Sequence, residues 1–598
     1  MKDHKRYYII SCWLVCQATL CCAQEPDSTS VLDKVTVTGA GKRNSFSGSV
    51  PSQTLDRRTL NQLNVLSVGD AAKYFSGVLV KDYGGAGGLK TVSVRSLGAS
   101  HTGVLYDGIP VSDVQTGQTD LGRYSSNFIQ SLDIYQANGT RLPATARSFA
   151  SASLLSMVSK SFQPSTAARE WFAGLRQGSF GFWQPYAGLS LPAGKQVSVQ
   201  LNTEFTRSKG NYPLYIENGP LSYAAKRINS GLDSWQGEAN VLKVFNDSST
   251  LQVKLFNYAS GRGLPGSIAL YTQRSNQRLR NDDQFMQARY RKDDHKGLSI
   301  LIAGKYNYSF TRYTDPDFQN NAGGLDNRYR QREFYFSAAV SKTLGWFTAS
   351  VASDIEYNTL RSNTANFAFP KRTSLWNNAA VVFNKGLWEI TGSTLLTTIM
   401  DQTRTGATSA DRNKITPSLS VAFRPGSNSP FLLRTFYKEV YRMPTFNDLY
   451  YILVGNSNLR PEFARQYNAG AVYSKQSDGA IRSLQFSVDG YVNSIRDKIV
   501  AVPGQNLFVW TMLNLGKVNM KGVDLTAEIN GKLAKSVTWF ARIAYTWQQA
   551  TDRTDKTAAS YGDRIPYTPD HSGSGLLSFT WKRWNAGSSV LFSSSRYS

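Results

Sequence analysis

The side chains best able to do covalent chemistry are few in this chain and badly spaced for it. All four cysteines, Cys12, Cys16, Cys21 and Cys22, fall in one short N-terminal window, so no thiol nucleophile follows them. The histidines after that window are His101, His295 and His571, and no two stand at metal-ligand spacing. Asp282-Asp283 and Asp315-Pro316-Asp317 lack the Asp-x-Asp-x-Asp-Gly order of a calcium loop, so no metal site is expected. There is no Gly-x-Ser-x-Gly elbow and no His-Glu-x-x-His run. Gly84–Gly88 opens no helix and has no lysine placed as in a P-loop. An enzyme is therefore not expected. The pattern that remains is one of binding: from Tyr83 to Tyr124, glycine-rich and polar loops flank two short alternating strands, Thr91–Arg95 and Gly103–Tyr106. Asp107-Gly108 is a tight-turn pair at the end of the second strand. Such a sheet is a poor core by itself and needs a larger wall around it.

Charge and composition narrow the setting. The formal charge is +25, from 67 Lys+Arg against 42 Asp+Glu. The cations are scattered and no basic run interleaves with base-stacking aromatics, so nucleic acid is not an expected partner. The first residues have a basic start (Lys2, Lys5, Arg6), an apolar middle from Tyr7 to Leu20, and Cys21-Cys22-Ala23 before Gln24. This is the layout of a secretory signal peptide over 1–23, cleaved near Ala23. Removal of that leader leaves a chain with no cysteine for a disulfide. Beyond it no run of eighteen or more apolar residues occurs, which excludes a helical membrane protein. A soluble exported protein and an outer-membrane barrel remain.

From about residue 171 the dominant period is two. Val537, Trp539, Ala541, Ile543, Tyr545 and Trp547 alternate with Thr538, Phe540, Arg542, Ala544, Thr546 and Gln548. Phe347–Thr359, Leu484–Asn493 and Val197–Phe205 alternate in the same way. Strands of about ten residues or more suit a tilted membrane span. Trp171, Trp183, Trp346, Trp510, Trp539 and Trp547 recur near strand ends, as interfacial girdles do. The polar inserts Gly210–Gln236, Gly261–Asn281 and Asp315–Tyr329 read as long outer loops. The residues from 165 onward, at roughly 22–24 per strand plus connection, make about 18–20 strands. The N-terminal part differs. Residues 24–44 form a flexible linker around the β-prone run Leu32–Thr38, Asn61–Val80 has helical apolar spacing, and 45–160 is expected to be a small α+β domain.

These segments together resemble the TonB-dependent outer-membrane receptors. Asp33-Lys34-Val35-Thr36-Val37-Thr38 resembles the Ton box, an extended β-branched segment suited to strand addition. Val94-Arg95, Ala99-Ser100-His101 and Leu105-Tyr106-Asp107-Gly108 resemble the plug core, with Arg95, Asp107 and Gly108 as its key positions. Tyr441–Tyr450 with Gly455–Glu462 resembles a barrel signature, and Asn514-Leu515-Gly516 with Gly522-Val523-Asp524 another recurring barrel element. Departures are Ser96 where the family has glycine, Gln136-Ala137-Asn138 for its Arg-Gly-Pro, and Ser151-Ala152-Ser153 for a Gly-Gly pair.

The resemblance implies an all-β membrane protein: a large antiparallel transmembrane barrel over 165–598, 22-stranded in the family, filled by an N-terminal α+β plug. The chain stops at Arg596-Tyr597-Ser598, where such barrels usually close on an aromatic residue, so the last strands are expected to be missing. The resemblance further implies a Gram-negative outer-membrane location and active transport energised by the periplasm-spanning TonB protein. It leaves room for a surface lipoprotein partner. Ala-Ser-His followed by Asp-Gly, after a glycine-rich loop, is most similar to the vitamin B12 (cobalamin) receptors. By that similarity Tyr83, Gly84, Gly85, Ala86, Gly87 and Leu89, with Ser112, Asp113, Gln115, Thr116 and Gln118, touch the ligand. The small and polar residues of both loops would let a bulky corrinoid approach the backbone. Haem or an iron–siderophore complex is the alternative cargo, because tyrosine can also ligate iron. A surface-binding barrel without energised transport is the other. No resident cofactor and no calcium are expected.

Overall fold

The computed structural model describes residues 48–596 apart from 85, 140, 161–163, 165–168, 219–220, 266–274, 320–322, 452–453, 504–509 and 515. The expected leader, the linker, the Asp33–Thr38 segment, Gly85 and Leu515 lie outside the described residues.

Period-two patterning becomes a barrel turned inside out. Along Val197–Ser208, Ser198, Gln200, Asn202, Glu204 and Thr206 are buried on the lumen side, while Leu201 is exposed on the outer side. Along Leu325–Leu344, Gln331, Glu333 and Ser337 are buried and Phe334 and Phe336 are exposed. A soluble sandwich would bury the phenylalanines. Only a lipid solvent makes the reverse arrangement favourable. Nineteen strands, from Glu170–Gly178 to Trp584–Ser593, follow one another round a closed ring among the described residues. This lies within the eighteen to twenty expected from chain length. The ring closes where its last strand comes beside its first. That seam is its weakest contact, because all ten residues of Trp584–Ser593 are exposed and its residue-by-residue ladder runs only against His571–Trp581.

One end of the barrel has short turns, such as 193–196, 345–346 and 582–583. The other end has long connections, such as 209–231, 264–277, 443–461 and 553–570. The three expected outer loops all lie at the long end, but each is shorter than expected. The strands Leu232–Val244, Thr250–Gly263, Arg278–Asp293 and Leu325–Leu344 take over their flanks, and Pro213–Asn218 pairs with Leu221–Lys226 inside the first loop. The strands continue past the apolar band. There both faces are polar, so backbone pairing persists without an alternating signal.

The plug fills the lumen. Its five-stranded sheet runs in the order Ser52–Asp56, Ile129–Tyr135, Ser153–Ser159, Thr102–Tyr106, Ile109–Val111. Leu55, Val104, Leu132, Ile134, Leu155 and Met157 lie in its buried core. The Asp107-Gly108 turn forms as expected, with φ of 51° and 83°, and joins the last two strands. The two strands read from the sequence fall in different sheets. Lys90–Val94 pairs with Val78–Asp82 in a separate hairpin, and all five of its residues are buried rather than alternately so. The helix expected over Asn61–Val80 is replaced by two short ones and the start of that hairpin. Arg57–Leu63 is capped by Asp56 and stopped by Asn64 in the left-handed region (φ 47°). Val68–Ala72 restarts from the Ser67 cap. Local capping overrode the apolar spacing.

Candidate functional site

The first glycine-rich loop sits at the tip of the Val78–Asp82/Lys90–Val94 hairpin. Tyr83 N–H donates to the Leu89 carbonyl (3.1 Å) and Gly84 N–H to Asp82 Oδ1 (3.1 Å), which closes the loop on itself. Tyr83 projects outward at 63% exposure. Gly87 presents its carbonyl to Arg262 Nη1 (2.5 Å), at the long-loop end of strand Thr250–Gly263, so the tip faces the outer side. The hairpin stands on a charged base, where Asp70 bonds Lys90 (2.8 Å) and Lys73 (3.0 Å). Burial works to raise the Asp70 carboxyl, but the two ammonium groups outweigh it and hold it below its usual range.

The second loop is clamped by the barrel. Asp113 Oδ1 accepts from Gln115 N–H (2.8 Å), Asp113 Oδ2 from Thr116 Oγ1 (2.7 Å), and the Asp113 carbonyl from Gly117 N–H (2.8 Å). Burial pushes the Asp113 carboxyl up. The short helix Phe446–Tyr450, in the long 443–461 connection, turns its first N–H groups onto this loop. Phe446 N–H donates to Val114 O (3.0 Å) and Asn447 N–H to Gln115 O (2.9 Å). Thr445 and Asp448 form a reciprocal capping box. Arg372 bridges Asp401 (2.7 and 2.8 Å) and the Pro444 carbonyl (2.9 Å), and Tyr450 OH donates to Asp401 (2.9 Å). The Tyr441–Tyr450 motif is thus the part of the wall that grips the plug apex. Gly117 is required there: its φ is +69°, and a Cβ would lie 2.5 Å from Thr445 Cγ2.

A cavity of about 190 Å³ opens beside the second loop, between Ser112, Asp113, Arg147, Arg372, Tyr441 and Arg442. No described residue of the first loop lines it, and Ala86 instead borders a separate small space with Lys90 and Arg123. The two predicted loops therefore share no described cavity. Thr116 is exposed, and Ser112, Gln115 and Gln118 are partly exposed. Of the two barrel arginines of the site, Arg442 belongs to the Tyr441–Tyr450 signature, whereas Arg372, in the strand Lys371–Lys385, carries no local motif and its lumen-facing parity is its only sequence signal.

Below the apices, plug and wall meet through polar groups. Arg95 is 1% exposed, donates from Nε to Asp524 Oδ2 (2.8 Å), and lies over the Tyr491 ring at 4.2 Å. Two segments noted separately in the sequence, Val94-Arg95 and Gly522-Val523-Asp524, are partners. Asp107 accepts from Lys254 (2.8 Å) and from Ser159 N–H (2.7 Å), and Arg123 reaches Asp283 (2.5 Å). Tyr106 OH donates to Glu238 (2.8 Å). His101 Nε2 meets Glu462 at 2.5 Å, and Glu462 is also held by Arg442 (2.7 Å). Burial dominates at His101 and lowers its pKa despite Glu462, whose charge Arg442 already balances. Ser96, where the resembled family has glycine, adopts φ 59° and donates to Gln548 (2.8 Å), so a hydrogen bond accompanies the strained backbone. Asn138 and Ser151, two further departures, both accept from Lys438. Apolar contacts join the polar ones: Phe256, Phe285, Phe540 and Leu576 of the wall pack into the plug core, and Leu97 and Ala152 of the plug pack against Val440 and Ile495.

Residues 45–146 match the family model of the TonB-dependent receptor plug domain, and residues 228–598 that of the TonB-dependent receptor-like β-barrel. A vitamin B12 transporter of Vibrio vulnificus is 23% identical over 514 residues, spanning 83% of this chain and 74% of that protein. A vitamin B12 transporter of Photobacterium profundum is 23% identical over 506 residues, 80% of this chain and 72% of that protein. Among solved structures, the copper transporter OprC superposes with a TM-score of 0.72 at 15% identity, over 91% of this chain and 84% of its own. The ferric citrate transporter FecA does so with 0.70 at 15%, over 92% and 85%. At such identities the superpositions speak to fold alone.

Proposed function

This chain belongs to the TonB-dependent receptors, outer-membrane transporters rather than enzymes, and from that premise we propose that it takes up cobalamin or a related corrinoid. The observation that carries the reading is the match to two vitamin B12 transporters over four-fifths of the chain. The apical loops agree with it, since Gly84, Ala86 and Gly87 leave backbone accessible to a bulky ligand with many amide groups. Ligand binds between the plug apices and the long loops. Tension on Asp33–Thr38 by TonB then moves the plug, and polar contacts such as Arg95–Asp524 and His101–Glu462 resist or release it as a two-state element.

The test is growth of a cobalamin-requiring host that depends on this protein, with and without residues 33–38. Deletion is expected to abolish uptake while cobalamin binding to whole cells persists. Unchanged uptake establishes instead a surface-binding barrel without energised transport. A second reading, haem or a ferric siderophore, is favoured by one observation: the Tyr83 phenol is exposed at the plug tip, where it could ligate iron. Rescue by haem or a siderophore, and not by cobalamin, would select it.

A further inference from the structure

The outer face of the barrel carries a second patterned surface, separate from the lumen. Parity is set by the plug: Glu204 bonds Ser125, Asp283 bonds Arg123, Glu333 bonds Ser112 and Glu356 pairs with Arg147. Residues of opposite parity on those strands point away from the lumen. Strand register then sets Arg207, Asp233, Gly261, Arg280, Arg312 and Arg328 side by side in one row across six strands at the long-loop end. Arg278 stands one step nearer the loops, opposite Thr314. Arg330 and Arg361 oppose each other one step nearer the membrane centre, and Arg332 follows opposite Thr359.

Acidic groups on this surface are fewer. Asp233 pairs with Arg207 (3.4 Å), Asp282 with Arg280 (3.0 Å), and Asp326 with both Arg312 (2.8 Å) and Arg328 (2.6 Å). Eight arginines against three carboxylates leave a surplus of five positive charges. Arg278, Arg330, Arg332 and Arg361 have no acidic partner among the described residues. At the short-turn end Lys292 pairs with Asp247 (2.9 Å) and Lys342 donates to the Lys296 carbonyl (2.9 Å).

The charge gives way to hydrocarbon in a few steps. The row of Leu201, Ala239, Leu255, Met286, Tyr306, Phe334 and Tyr357 carries none. It lies three same-face steps from the arginine row, roughly 20 Å along the strands. From this row toward the arginines, Leu201, Trp235, Gly237, Leu255, Met286 and Tyr306 line an outward groove of about 520 Å³. Gly237 and Ala239 keep it open.

We propose that this arc is a binding surface for an outer-leaflet lipid with a phosphorylated head group. Its phosphates lie on the unpartnered arginines, whose planar guanidinium groups match phosphate oxygens in pairs. An acyl chain lies in the groove beneath. Charge complementarity selects this occupant: an uncharged lipid tail explains the groove but not the surplus, and a soluble anion explains the surplus but not the groove.

The test uses the full chain purified in neutral detergent, with bound lipid counted by native mass spectrometry. The probes are diphosphorylated lipid A, its dephosphorylated form, and inorganic pyrophosphate as competitor. Diphosphorylated lipid A is expected to bind, and its affinity to fall roughly a hundredfold in R330Q/R332Q/R361Q, at about 1 kcal/mol per cation near a lipid surface. Those three have no ion pair to lose, so folding, checked by heat-modifiable mobility, should persist. R278Q, the fourth unpartnered arginine, should weaken binding by a smaller factor, and K292Q at the far end should bind as the wild type does. Equal binding by R330Q/R332Q/R361Q, or equal binding of the dephosphorylated lipid, overturns the proposal. Full competition by equimolar pyrophosphate, or burial of the face in a dimer of this chain, does so as well.

Discussion

Loss of the Asp524 carboxylate should loosen the plug. Arg95 is enclosed by the plug hairpin and the barrel, and its Nη1 and Nη2 have no hydrogen-bond partner among the described residues. Asp524 is the only carboxylate its guanidinium pairs with among the described residues. Asp524→Asn keeps the side-chain shape but leaves an uncompensated buried cation, a loss of about 3–5 kcal/mol. The Tyr491 ring, 4.2 Å away, returns a part of this, up to about 2 kcal/mol. With the full return the net loss is about 1–3 kcal/mol, and a urea slope of about 1–2 kcal/mol/M for a plug-sized domain lowers the plug-unfolding midpoint by roughly 0.5–3 M. The assay is urea titration of plug release, followed by protease sensitivity of residues 48–159, while SDS mobility reports the barrel separately. The double variant Arg95→Leu/Asp524→Leu should recover most of the loss, because an apolar pair leaves no charge behind. If Asp524→Asn leaves the midpoint unmoved, or the double variant falls as far as the single, the ion pair is not what seats the plug.

Two further outcomes follow from the apex and the interface. Gly117→Val puts a β-branched residue at φ +69° and against Thr445, at a cost of at least about 1–2 kcal/mol. It should release the Phe446–Tyr450 helix, seen as roughly tenfold faster amide exchange at Phe446 and Asn447, and unchanged exchange would refute the clamp. His101 has a pKa lowered by burial, so below its unfolded value of about 6.5 the unfolded state binds the proton first. Its contribution to plug stability is flat above that pH and is lost as pH falls through it. The urea midpoint should therefore drop between pH 8 and pH 5 in the wild type and drop less in His101→Gln. A midpoint that rises on acidification contradicts the assignment.

Much of the architecture was legible because it is written in local patterns. Alternation over Val537–Gln548 requires a two-faced strand, and its length and aromatic ends point to a bilayer. Asp107-Gly108 specifies a turn by the φ it tolerates. Local patterns misled where a cap intervened, as at Asn64 and Ser67, which cut one apparent helix into two. They also misled where apolar alternation faded, so strand ends such as Leu325–Tyr329 looked like loop. The apical loops were recognisable by composition, yet nothing local indicated that one is gripped by a barrel helix and that the other is not.

The sequence by itself determined that this chain builds a wall of two-faced strands and encloses a small glycine-rich domain. Each of these depends on which residues neighbour one another along the chain. Only the tertiary structure decided that Arg95 is answered by a carboxylate 429 positions away, that Val114 and Gln115 are capped by the Phe446–Tyr450 helix, and that arginines from five strands form one arc. Period two assigns a side chain to a face but not to a height. Height comes from inter-strand register, a property of the closed barrel and of the plug packed inside it.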